Sequence, residues 1–356
     1  MTVRSTFPIT VVGGGAIGGT LAVTLLEAGR AVQIVDADAD HVAAIREQGL
    51  RVTSASGDRV AWVPAFEVHH APPRLGAVLL AVKGQATDAA MRWIAPRLVD
   101  DGYVVSMQNG LNEEAIAAHI GAERTVAAFV DLFADVVEPG VVKDGGPGAM
   151  ALGEMTGPPD SERVRGLAAD LRGAGHAAIS DNVRGYLWSK LAFGSWSSVT
   201  ALAAPEMWDL VDRHRPAMVA LALEISTVAQ AEGVRLEDFD AYRAGAFTPC
   251  GSDGARDEVI DEVVAWLRTQ PKLHSGVWRD IAVRRRPTEV PSHFLPVIAA
   301  AEARGIPVPR VRALLHAIGR MERGEITHDE RHIEEIAASA DEQADDTLAK
   351  HSSVRQ

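Results

Sequence analysis

The sequence predicts two successive architectures, an α/β domain built on a parallel sheet and then an all-α domain. Up to about Asn182, short apolar runs alternate with helical segments, the order that builds a parallel sheet covered on both faces. Beyond that point the strand signal vanishes and helical periodicity continues to about residue 340. Length agrees, because 356 residues exceed one ordinary domain and suffice for two cores. The expected division is 1–182, 183–340 and a polar, aperiodic tail at 341–356 that is expected to be disordered.

The first elements carry the strongest signal. Ile9 to Val12 is a short apolar run that breaks into Gly13-Gly14-Gly15-Ala16-Ile17-Gly18 and then opens into a helix. In the spacing Gly13-x-Gly15-x-x-Gly18, the first glycine permits a tight turn and the second lets backbone approach a pyrophosphate. The third lets the helix close on the strand, so that its free N–H groups, with Ala16 and Ile17 in its first turn, face the phosphates. The next apolar run, Ala31 to Val35, ends at Asp36, close to the offset at which a carboxylate accepts hydrogen bonds from an adenosine ribose. The first domain therefore reads as a Rossmann-type dinucleotide-binding domain. A carboxylate there repels a 2′-phosphate and no arginine follows the strand directly, so NAD is expected, with NADP as the alternative. Asp38 and Asp40 are candidates to cap the next helix.

The remaining strands are expected near 77–82, 103–107, 125–130 and 176–179, with helices near 16–29, 39–48, 85–98, 111–119 and 160–173. Residues 51–63 read as a short hairpin around Ser56-Gly57-Asp58. Pro139-Gly140 and Gly145-Gly146-Pro147-Gly148 supply turns between antiparallel edge strands. Helices of the second domain are expected at 183–203, 214–232, 254–269, 289–304, 309–322 and 328–340.

Composition narrows the function. A formal charge of −13 argues against a nucleic-acid or anionic-membrane partner. The single cysteine, Cys250, excludes an intramolecular disulfide and fits a reducing compartment. The chain opens without an apolar leader, and its longest apolar helical stretch, Ala217 to Ala229, is too short to span a bilayer and is interrupted by Glu224, so a cytoplasmic protein is expected. His328 and His332 stand four apart on a predicted helix, but no third ligand is evident and no metal is expected.

Hydride chemistry needs a group that holds a proton at the substrate oxygen. Three places offer polar residues where the crevice should lie: Lys83 after one strand, Gln108-Asn109-Gly110 after another, and the helix Tyr186 to Ser198. On that helix Lys190, Gly194 and Ser198 recur at intervals of four. From position alone Lys83 and Asn109 read equally as turn residues, and Lys190 as a lysine whose ammonium snorkels to water. Arg284-Arg285-Arg286 is a local basic run that reads as a solvated helix end.

Taken together, Gly13 to Gly18, Val82-Lys83, Gln108-Asn109-Gly110-Leu111, Glu138-Pro139-Gly140-Val141, Leu187-Trp188-Ser189-Lys190-Leu191, Trp278-Arg279-Asp280, Arg286-Pro287-Thr288-Glu289 and Gly305-Ile306-Pro307-Val308-Pro309 resemble the ketopantoate reductases (2-dehydropantoate 2-reductases). Their helical domain is similar to the C-terminal domain of 6-phosphogluconate dehydrogenase. The resemblance implies that Lys190 is the catalytic acid/base and that Glu289, just after a capping Thr288 and so in the first helical turn, contacts substrate and cofactor. It further implies that Asn109 orients both and that Ser275 binds the substrate carboxylate. It leaves monomer and homodimer both open.

Three departures point away from ketopantoate. Family members usually carry asparagine where this chain has Gly194 and Ser198. The segment from Asp280 to Glu289 is one residue longer than the usual pattern, and Asp36 replaces the basic residue that favours NADPH. The expected activity is therefore an NAD-preferring, oxidative hydride transfer on another small hydroxy acid or polar alcohol, with Gly194, Ser198 and Ser275 near the substrate. The alternatives are an NADPH-dependent 2-dehydropantoate 2-reductase and a non-catalytic NAD(H)-binding sensor.

Overall fold

The computed structural model of the chain describes residues 7–55, 57–270 and 273–339; the expected tail at 341–356 and Ser56 of the expected hairpin lie outside them. Two compact units divide after Val183.

The first unit runs β1 (Ile9–Val12), α1 (Ala16–Glu27), β2 (Val32–Asp36), α2 (Ala39–Gln48), β3 (Leu50–Thr53), β4 (Arg59–Ala61), β5 (Ala65–Glu67), β6 (Leu75–Leu80) and α3 (Thr87–Ile94). It continues through β7 (Leu98–Ser106), α4 (Glu113–Ile120), β8 (Thr125–Asp131), β9 (Ala134–Glu138), β10 (Val141–Asp144), β11 (Gly148–Glu154), α5 (Glu162–Asp170) and β12 (Gly175–Ile179). Eight strands form one sheet in the order β12-β11-β8-β7-β6-β1-β2-β5. Its inner strands are buried on both faces and read as continuous apolar runs, as in β6, where all six residues are buried. On one face Leu21 and Leu25 of α1, Ile45 of α2 and Leu167 of α5 pack on Ile34 and Leu79. On the other, Met91 and Ile94 of α3 and Ile116 of α4 pack on Val35, Val78 and Val104.

The sheet departs from the expected parallel pattern at β11, which runs antiparallel to β8 while pairing parallel with β12. The hairpin β9–β10 is not at an edge of that sheet. It joins β3 and β4 in a second sheet, β4-β3-β10-β9, through a parallel pairing of Val142 with Val52. That pairing links residues about 90 positions apart, a long-range contact that local patterning cannot report. Strand β5 was not expected, being only three residues long.

The second unit is helical, with α6 (Val183–Val199), α7 (Met207–Arg213), α8 (Arg215–Ala231), α9 (Asp253–Thr269), α10 (Gly276–Ala282), α11 (Val290–Arg304), α12 (Pro309–Glu322) and α13 (Arg331–Ala338). The seven-residue α7 and α10 escaped the periodicity, which needs longer windows. Trp188 and Trp196 of α6 are fully buried, and the Trp196 indole N–H donates to the Met218 carbonyl of α8 at 2.8 Å. Buried Glu224 of α8 accepts the N–H groups of Arg310 and Val311, closing the start of α12, whose own N-cap Val308 has no polar side chain. Burial raises the Glu224 carboxyl above its ordinary value. Among the described residues no helix is long and apolar enough to cross a membrane.

Candidate active site

In the first unit the glycine loop joins β1 to α1. Gly13 has φ +94°, and a Cβ there would lie 2.8 Å from the Ala81 carbonyl carbon; a Cβ on Gly18 would collide with the Gly13 carbonyl oxygen. N-cap Gly15 offers no side chain, so the first-turn N–H groups of α1, at Ala16 and Ile17, have no side-chain acceptor from their own cap. A small-residue cradle at a positive helix end is what a pyrophosphate requires, so the loop fits a dinucleotide.

Asp36 closes β2 beside this loop. Its Oδ2 accepts the Gly14 N–H at 2.6 Å and its Oδ1 the Asp38 N–H at 2.9 Å, which fixes the carboxylate at the strand end. Capping falls to Asp38, whose Oδ1 accepts the N–H groups of Asp40 and His41. Asp36 is thus free of a helix-capping duty.

Lys83 and Asn109 follow β6 and β7; β6 lies next to β1 and β7 next to β6, all in parallel register, with Val12 opposite Leu80 and Leu80 opposite Ser106. Both residues therefore emerge at the same end of the sheet as the glycine loop. Lys83 is half-buried and precedes a short turn of helix; Asn109 is exposed, and Gly110 turns the chain with φ +90°. A buried side-chain network ties the two turns together. Gln108 Nε2 donates to the Val82 carbonyl at 2.9 Å and to Thr87 Oγ1 at 2.8 Å; Thr87 donates to Asn112 Oδ1 at 3.2 Å, and Asn112 Nδ2 donates to the Asn109 carbonyl at 2.8 Å. Glu113 accepts the Asn112 N–H at 3.1 Å, and burial pushes its carboxyl up to about 7.

In the second unit α6 is mostly buried, and its last three turns show one partly exposed stripe of Lys190, Phe193, Gly194 and Ser197. The spacing corrects the expected pairing of Lys190 with Ser198. Seven residues bring the helix back to within about 20° of the starting face, whereas eight overshoot by about 80°. Ser198 is accordingly only 1% exposed and donates to the Gly194 carbonyl at 2.8 Å. Ser197, half-buried, donates to the same carbonyl at 2.9 Å and is the hydroxyl that shares the Lys190 stripe. A Cβ built on Gly194 meets nothing within 4 Å.

Glu289 is the N-cap residue of α11, one position before the first turn in which it was expected. Thr288 sits behind it, taking the Val290 N–H at 3.3 Å and donating to Glu322 Oε1 at 2.7 Å. The chain reaching Glu289 is held by buried Asp280, which accepts from Arg284 at 3.1 Å and from Arg286 Nε at 2.9 Å, while Arg285 between them takes a left-handed φ of +49°. Two of the three arginines read as a solvated run are therefore clamped. Ser275 is the N-cap of α10, its Oγ accepting the Trp278 N–H at 3.1 Å.

Comparison with known proteins follows this architecture unit by unit. A family model described as ketopantoate reductase PanE/ApbA matches residues 9–157, and one for its C-terminal domain matches residues 182–322. A 2-dehydropantoate 2-reductase of Mesorhizobium japonicum is 31% identical over 252 residues, covering 64% of this chain and 77% of that one. The chain belongs to the ketopantoate reductase family. A 2-dehydropantoate 2-reductase of Halobacterium salinarum is 27% identical over 314 residues, 86% of this chain and 96% of its own. Among solved structures, a PanE/ApbA family ketopantoate reductase from Ralstonia eutropha has TM-score 0.72 and 26% identity, covering 89% of this chain and 99% of that one. D-mandelate dehydrogenase with NADH and anilino(oxo)acetate has TM-score 0.76 at 21% identity, covering 89% and 98%, a likeness of fold.

As a member of the ketopantoate reductase family the chain is an oxidoreductase, a dehydrogenase or reductase of CH–OH groups that uses a nicotinamide dinucleotide. The family motifs acquire physical roles here. In Glu138-Pro139-Gly140-Val141, Gly140 turns β9 into β10 with φ +76°, and its N–H donates to Nδ1 of buried His41 at 3.0 Å. In Gly305-Ile306-Pro307-Val308-Pro309, Gly305 ends α11 in the left-handed region and Pro309 opens α12. His41, Asn112, Glu113 and Ser197 escaped sequence reasoning. For Ser197 the signal was present in the helical angle; for His41 nothing local points to a partner 99 residues away.

Proposed function

We propose that this chain catalyses NAD-linked oxidation of a small 2-hydroxy acid, or a related polar alcohol, other than pantoate. The observation that carries the reading is the fixed Asp36 carboxylate beside the glycine loop, which favours ribose hydroxyls and repels a 2′-phosphate. Gly194 supports the substrate half. It leaves open space on the Lys190 stripe where family members usually carry asparagine, so a substrate there meets less side chain and has more room.

The nicotinamide, when bound, exchanges a hydride with the substrate carbon. Gly13, Gly15, Ala16, Ile17 and Gly18 would hold the pyrophosphate, Asp36 the adenosine ribose, and Lys83 and Asn109 the nicotinamide side. Lys190 would act in oxidation as the amine that takes the proton from the substrate hydroxyl oxygen, and in reduction as the ammonium that polarises the carbonyl oxygen and returns the proton to it. Glu289 would orient the substrate. Ser197 replaces Ser198 as the hydroxyl offered to the substrate, and Ser275 would act by fixing the start of α10.

The names of the relatives support a second reading, reduction of 2-dehydropantoate, for which NADPH would be the hydride donor. The neighbouring mandelate enzyme holds NADH, which makes an NAD-linked 2-hydroxy acid the natural competitor. Steady-state rates with NAD+ and NADP+ on pantoate and on aromatic and aliphatic 2-hydroxy acids separate them. NAD+-linked oxidation of a non-pantoate acid supports the proposal; activity confined to pantoate with NADP+ refutes it.

A further inference from the structure

We propose that Glu67 is a second cofactor-selecting residue, which acts with Asp36 to exclude a 2′-phosphate. The proposal rests on the NAD-linked reading above and deepens its cofactor half. Strand β5 pairs parallel with β2 in the register Ile34 to Ala65, Val35 to Phe66 and Asp36 to Glu67. Ile34 and Ala65 share the core on one face of the sheet, and Val35 and Phe66 pack on the other. By alternation Asp36 and Glu67 project on the same face, from neighbouring strand ends about 5 Å apart. That is the carboxyl end of the sheet, where a fold of this type binds its ligand.

The two strand ends and the turns that follow them are acidic. Asp36, Asp38, Asp40 and Glu67 are all carboxylates, and residues 31–41 and 65–73 contain no lysine or arginine. His41 has both ring nitrogens engaged by backbone. Exposed His70 has its Nδ1 3.9 Å from Glu67 Oε1, and Arg46 of α2 lies over the Phe66 ring at 5.9 Å. Asp36 is held by two backbone N–H groups, whereas the Glu67 side chain is 38% exposed and available to a ligand. A 2′-phosphate would therefore meet two carboxylates, and removing one leaves the other in place.

The test needs no substrate. Dissociation constants of NADH and NADPH are measured by nicotinamide fluorescence on wild type, Glu67→Gln, Glu67→Ser and Glu67→Asp at low and high salt. Glu67→Gln and Glu67→Ser are expected to lower the ratio of the NADPH to the NADH constant by about fivefold, through NADPH, with the effect shrinking at high salt. Glu67→Asp, which keeps the charge, should retain the wild-type ratio. An unchanged ratio in the neutral variants, or equal weakening of both cofactors, overturns the role of Glu67. A wild type that binds NADPH as tightly as NADH overturns the NAD reading instead, and the shift in the neutral variants still decides Glu67.

Discussion

His41 Nδ1 accepts the Gly140 N–H at 3.0 Å, so its Nε2 carries the proton and donates to the Gly14 carbonyl at 2.9 Å. One ring, only 4% exposed, thereby pins the glycine loop to the β9–β10 turn. His41→Ala would leave a buried carbonyl and a buried N–H without their partner, at a cost of about 1–3 kcal/mol in urea unfolding. Because the loop is the expected pyrophosphate cradle, the NADH dissociation constant should rise in the same variant. Unchanged NADH affinity would confine His41 to a purely structural role.

Glu113 makes the stability of the first unit depend on pH. Burial raises its carboxyl from 4.5 to about 7 in the folded protein. The folded state thus holds the proton more tightly, and the contribution is full below about 4.5 and lost as pH rises toward 7. The loss is about 3 kcal/mol. Glu113→Gln, which can still accept the Asn112 N–H, should flatten unfolding free energies measured between pH 4.5 and 8. A wild-type profile that rises across this window would refute the assignment.

Gly194 separates packing from function. With nothing within 4 Å of its Cβ position, Gly194→Asn should keep the fold and gain up to about 0.5 kcal/mol from better helix propensity. The same change should lower kcat/KM for the preferred substrate about tenfold or more and raise it for pantoate, since the added amide is what the family usually presents. Equal kcat/KM values in wild type and variant would remove Gly194 from the substrate pocket.

What could be read from the sequence was local, or rested on family motifs. The glycine loop and Asp36 are set by spacing within one βαβ unit, and the structure puts them side by side. Most helices were found because their periodicity spans several turns. Ser198 was misjudged because a four-residue interval drifts around a helix when doubled, and Ser197 is the residue the drift brings back. The Thr87–Gln108–Asn112 network joins residues 21 to 25 positions apart across two strand ends, and the His41–Gly140 bond spans 99. Such partners are fixed only when the sheets assemble. Ser275 shows the reverse case, since its helix-capping bond becomes visible only once the short α10 is seen to form.

NAD+ and NADP+ reduction across a panel of 2-hydroxy acids, pantoate included, with wild type and Lys190→Met, decides between the two activities. The expected result is NAD+-linked oxidation of a non-pantoate acid that falls by about 10³-fold in Lys190→Met while NADH still binds. Turnover limited to pantoate with NADP+, or a rate indifferent to Lys190, would contradict it.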